Sequence, residues 1–135
     1  MSVSIAAAYS WAINTCNNAS VGYSQTYRNQ QTVSGITYYD CSSFIWYALV
    51  AGGFDMSGTY GSSYPFTTTY MNTVLLNLGF TRITIDSSTV ALAGDIVWKS
   101  GHTEMVYLGA GEGYAKLMGA HSSQLDLADQ VSIRT

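Results

Sequence analysis

The chain has 135 residues, of which 47% are apolar or aromatic and 10% charged, a balance that excludes disorder and suits one globular domain with its own core. Five Lys and Arg against eight Asp and Glu leave a net charge of −3, too little basic surface to neutralise a run of phosphates, so nucleic acid is not an expected partner. No apolar stretch approaches the ~20 residues of a membrane span, and the N-terminus lacks a signal peptide's basic region and cleavage pattern. The expectation is synthesis in the cytoplasm, no membrane insertion, and two cysteines, Cys16 and Cys41, that stay unpaired.

In residues 2–17, Ile5, Tyr9, Ala12 and Cys16 recur at steps of three and four, which predicts a helix with Cys16 on its core face. A polar loop, NNASVGYSQTYRNQQTVSGITYY, follows. A second helix is expected from about Ser42, through SSFIWYAL, to an exit at Gly52 and Gly53. A second loop carries the single proline, Pro65. A third helix is expected over 67–80, with Met71, Val74, Leu75 and Leu78 on one stripe, a threonine cap and Gly79 at its end.

From Thr81 the pattern turns to strands: TRITI, DIVWK, HTEMVYLG, GYAKLMGAH and a last one in QVSIRT, rich in β-branched and aromatic residues and separated by Gly or Ser turns. Helices followed by strands imply an α+β class with N-terminal helices packed on an antiparallel sheet. GAGEG, at 109–113, is expected to be a hairpin turn rather than a phosphate loop, because no helix follows it.

Cys41 lies where the second helix begins. Unpaired N–H groups and the helix dipole favour an anion there, so the position stabilises a thiolate and offers donors to an oxyanion. A cysteine nucleophile needs a base, and the chain has only His102 and His121. If the two strands around GAGEG form a hairpin with Gly109 opposite Tyr114, His102 falls opposite His121 on the same side of the sheet. A slip of one residue would separate them.

The ordered motifs YDCSS, AGDIVW, GHTEMVYLG and MGAHS resemble the NlpC-type cell-wall cysteine peptidases, and more closely the catalytic domains of bacteriophage endolysins known as peptidoglycan amidases. VGYSQTYRN and TTTYMNTVLLNLGF also fit that phage form, so the resemblance covers about residues 5–125. It implies a papain-like fold with Cys41 as nucleophile, His102 as base and His121 as third polar residue. Amide bonds of bacterial peptidoglycan would be cleaved through a thioester, without metal or cofactor. Asp40 and Ser42 would bind the stem peptide or shape its site, with Tyr23 and Arg28 as further cleft residues. By the same resemblance, 1–135 is one catalytic domain cut from a longer endolysin whose C-terminal region binds the wall.

Two positions depart from the NlpC pattern. Ser43 replaces a common glycine, which fits the phage branch. Glu104 also replaces a glycine, two residues after the base and so on its side of the strand. Its carboxylate is a candidate for binding a substrate amine or for orienting His102 in place of His121.

Each residue has a plainer reading: a packed cysteine, a strand-end histidine, a loop histidine, a solvated glutamate, and a helix-capping Asp40. The separations of the Cys and His residues do not match a zinc site. Three functions therefore stand open: an N-acetylmuramoyl-L-alanine amidase, favoured by the phage resemblance, a D-glutamyl-type endopeptidase, and a non-catalytic wall-binding or structural domain on the same fold.

Overall fold

The computed structural model describes residues 2–110 and 113–135. The first helix, α1 (Ile5–Cys16), starts where the Ser4 hydroxyl accepts the Ala7 N–H at 3.0 Å. Ala8 and Ala12 are fully buried, and Cys16 packs against the main core.

The stretch expected to be a polar loop is structured. It holds β1 (Val21–Tyr23), β2 (Thr32–Val33) and β3 (Ile36–Tyr39), a small sheet in the order β1-β3-β2. β2 and β3 form a hairpin across Ser34 and Gly35, both with positive φ (53° and 82°), as a two-residue turn of this hand requires. β1 lies parallel to β3. These strands have two to four residues each, too short for a two-residue period to stand out in the sequence.

α2 runs Cys41–Ala51, one residue earlier than expected, because Asp40 is its cap. Asp40 Oδ1 accepts the Ser43 N–H at 2.9 Å, and Ser43 Oγ accepts the Asp40 N–H at 2.9 Å. This is a capping box with serine in the usual Glu or Gln role. Phe44, Ile45, Ala48 and Leu49 are fully buried and Trp46 nearly so, which makes α2 the central helix, covered on most sides.

The second loop contains a short helix, α3 (Met56–Tyr60), capped by Asp55 and ended by Gly61 in the left-handed region. The helix expected third is the fourth, α4 (Thr68–Asn77), with Met71 and Val74 buried.

TRITI forms no strand, contrary to expectation. Ile83 and Ile85 are exposed, and the backbone of 81–85 makes no backbone hydrogen bond among the described residues. The remaining strand expectations hold: β4 (Ile96–Lys99), β5 (His102–Gly109), β6 (Tyr114–Ala120) and β7 (Val131–Arg134) form an antiparallel sheet in chain order, with a one-turn helix, α5 (Leu127–Gln130), before β7. The α+β class is thus observed. Four consecutive buried residues, Thr103 to Val106, mark β5 as covered on both faces. Met105 joins the main core with α2, while Val106 joins a smaller cluster with Ala91 and Leu117.

The register between β5 and β6 decides the site. Gly109 pairs with Tyr114 as expected, but Tyr107 and Ala115 are each extra residues in their strands. The two irregularities cancel, and Met105 pairs with Met118 in the expected frame. His102 and His121 lie three residues beyond that pair, His102 opening β5 and His121 just past the end of β6. Gly111 and Glu112, the centre of the expected turn, lie outside the described residues.

Candidate active site

Cys41 is the first residue of α2 and is half-buried, so its sulfur sits at the helix mouth among N–H groups that have no helical partner. His102, the first residue of β5, is its neighbour. The Cys41 thiol, and after it Glu104, favour the imidazolium over the opposing effect of burial and push the His102 pKa up to about 9. The other cysteine is unlike it: burial drives the Cys16 thiol up to about 12, which keeps it protonated and inert.

Glu104 joins the two histidines. Its Oε2 stands 3.3 Å from His102 Nε2, and its Oε1 stands 2.9 Å from His121 Nδ1 and 3.4 Å from Arg134 Nε. The carboxylate is only 3% exposed. Burial alone would raise its pKa, but His102, His121 and Arg134 outweigh that and hold it well below the usual carboxylate range. The 2.9 Å approach of His121 Nδ1 is close but lacks the alignment of a hydrogen bond. His121 Nε2 is 3.0 Å from the Ser132 carbonyl, which can only accept, so that nitrogen carries a proton.

Gly119 makes this arrangement possible. A Cβ there would lie 3.2 Å from Glu104 Cγ, so the carboxylate side chain occupies space left by the missing side chain.

Arg28, Asp40 and Ser42 form a separate buried network beneath the helix mouth. The Arg28 guanidinium donates to Asp40 Oδ2 at 2.7 Å, to Pro65 O at 2.7 Å, to Ser42 Oγ at 2.9 Å and to Phe66 O. Four of its five N–H groups are spent on protein acceptors. This cation therefore ties the loop before β2 and the segment before α4 to the start of α2. Tyr23 is instead at the surface of a polar groove of about 440 Å³ between the loop after β1 and the loop after β6, which His121 also lines.

The structure thus gathers Cys41, His102, Glu104 and His121, sets Tyr23 on the adjoining groove, and buries Arg28, Asp40 and Ser42 below. Two contributors carry no signal in the sequence. Arg134 reaches Glu104 from β7, whose register against β6 pairs Leu117 with Arg134 and follows a helical turn that nothing in the pattern announces. Gln130, which spans the groove walls, has the same origin. Among the described residues, no group of three or more His, Cys, Asp or Glu side chains has the disposition to hold a metal ion.

Fold and site together define an α+β domain with a thiol, an imidazole and a buried carboxylate in succession at a helix mouth. Residues 2–114 match the model of the endolysin-like domain, and the chain belongs to that family. The matched stretch contains Cys41, His102 and Glu104, whereas His121 and Arg134 lie beyond it. Comparison with curated proteins and with solved structures gives no match.

Proposed function

We propose that the chain is a peptidoglycan hydrolase, the lytic domain of a phage endolysin, that opens an amide bond of the stem peptide through a Cys41 thioester. The observation that carries this reading is the succession Cys41, His102, Glu104 at the start of α2, in a chain of the endolysin-like family. N-terminal helices against an antiparallel sheet also suit the papain-like, NlpC-type architecture.

In this mechanism His102, its pKa raised to about 9, rests as the imidazolium that holds the proton from Cys41, and the thiolate attacks the amide carbonyl carbon. N–H groups at the start of α2 receive the negative oxygen. The tetrahedral species collapses as His102 returns the proton to the leaving nitrogen, which departs as the free amine and leaves the acyl group on sulfur. His102 then removes a proton from water, the hydroxide attacks the thioester, and the acid and the thiol are released. Glu104, which faces Nε2, is the orienter of His102; Nδ1 is then the nitrogen left to exchange the proton with sulfur. His121 and Arg134 act through Glu104. Asp40, Ser42 and Arg28 shape the site from beneath, and Tyr23 meets substrate at the groove.

The bond assigned is the one between the lactyl group of N-acetylmuramic acid and L-alanine. Mass spectrometry of fragments released from purified walls tests both parts. Stem peptides with a free L-alanine amino end are expected from the native chain, and none from a folded Cys41→Ala variant. Shortened stem peptides would make it an endopeptidase; equal release by the variant would remove the cysteine mechanism. No release from walls of several cell types would leave a wall-binding domain.

A further inference from the structure

The groove beside the site has a composition that the cysteine chemistry does not use. Its walls are two loops, residues 23–26 and 121–124, and they present hydroxyl and carboxamide groups with no carboxylate, ammonium or guanidinium among them. The His121 ring is turned away into the contacts with Glu104 and Ser132, its side chain 2% exposed. Tyr23 contributes a half-buried phenol ring.

The walls are held at a set distance by one side chain. Gln130 Oε1 accepts the Tyr23 N–H at 2.8 Å, its Nε2 donates to the Leu125 carbonyl at 3.0 Å, and its own carbonyl accepts the His121 N–H at 2.7 Å. Gly22 leaves room for this: a Cβ there would lie 2.9 Å from Gln130 Oε1. Ser24 and Ser122 accept backbone N–H groups from Tyr27 and Gln124, which fixes their oxygens and leaves each hydroxyl a proton to donate. About 440 Å³ is within the ~300–1,000 Å³ range of small-molecule clefts.

A neutral, preorganised groove rich in donors and acceptors, with one aromatic ring, suits a neutral polyhydroxylated ligand. A ligand with free carboxylates or amines would leave them without partners there. The two halves of a peptidoglycan substrate differ in this respect. The stem peptide carries free carboxylates and an amine, whereas the sugar's lactyl carboxyl is already an amide and the sugar itself is uncharged. Resting on the hydrolase reading above, we infer that this groove receives the N-acetylated sugar on the acyl side of the scissile amide, which puts the lactyl carbonyl beside Cys41.

The test has two arms. In the first, an N-acetylmuramoyl peptide and a lactoyl peptide with the same amide but no sugar are compared as substrates of the native chain and of a Gln25→Ala, Gln124→Ala double variant. The native chain is expected to prefer the sugar-bearing substrate, and the double variant to lose roughly tenfold in kcat/KM on it, chiefly through KM, while its rate on the lactoyl peptide stays unchanged. Equal cleavage of both substrates by native and variant chains would overturn the groove assignment and leave the cysteine chemistry standing. In the second arm, Cys41→Ala protein is titrated with N-acetylmuramoyl dipeptide and followed by amide NMR shifts. Shifts at residues 24–26 and 122–124, together with those around Cys41, are expected, and the absence of shifts in the groove residues would overturn the assignment whatever the activity. Shifts in the groove without hydrolysis of either substrate would overturn the hydrolase reading alone.

Discussion

Glu104 is a buried carboxylate kept ionised by three basic neighbours, and its charge is felt at His102. The His102 pKa, about 9 against an ordinary 6.5, is raised first by Cys41 and then by Glu104. Glu104→Gln removes the second influence, so the alkaline limb of the pH–rate profile is expected to move down, with a fall in kcat. Measurement of kcat/KM across pH 5–10 checks it. Stability should respond on both sides of neutrality. The raised His102 pKa contributes stability that is full below 6.5 and is lost as pH climbs through about 9. The depressed Glu104 pKa contributes stability present above the ordinary 4.5 and lost as pH falls below it. A plot of thermal midpoint against pH should therefore slope at both ends for the native chain and less for Glu104→Gln. Of this cluster, Cys41 and the two histidines are readable in the sequence as rare residue types at a helix mouth and on facing strands. That the carboxylate touches both histidines is not, because it depends on a gap at Gly119 in the next strand.

The start of α2 is the element on which the candidate nucleophile rests. Asp40 caps it and also pairs with Arg28, and both side chains are about nine-tenths buried or more. Loss of a cap alone costs about 1 kcal/mol, whereas a buried cation left without its partner costs about 3–5 kcal/mol. Asp40→Ala should thus destabilise by several kcal/mol, and Asp40→Asn, which keeps a capping acceptor, by less. Urea unfolding of the two variants checks the order; equal loss would mean that the ion pair, not the cap, dominates. The cap is legible in the local order Asp-Cys-Ser-Ser. Its pairing with Arg28 is not, since that arginine comes from a loop twelve residues earlier and two of its other acceptors, the Pro65 and Phe66 carbonyls, are still further away in the chain.

Across the molecule, helices and sheet share one core in which α2 meets α1, β5 and β6. TRITI lies outside this arrangement. Ile83 and Ile85, 70% and 58% exposed, line an apolar groove of about 710 Å³ that shares no residue with the polar one. Replacing both by lysine is expected to change stability by no more than about 0.5 kcal/mol per site and to leave wall hydrolysis unchanged, while lowering self-association at high concentration, as light scattering would report. A large loss of activity would show that this face serves the reaction. The alternation in TRITI is a genuine strand signal, but a strand exists only when a partner supplies hydrogen bonds, and nothing local encodes the partner. The same distinction runs through the whole chain. Hydrophobic period, capping residues and turn glycines determined α1, α2, α4, the strands β4–β7 of an antiparallel sheet and the position of Cys41 at a helix mouth, because each acts over a few neighbouring residues. Only the tertiary structure decided that Glu104 lies between the histidines, that Arg134 and Gln130 reach the site and its groove, and that Arg28 is buried. Those facts rest on register carried through two compensating bulges and on contacts between segments up to 107 residues apart, where no local pattern has a say.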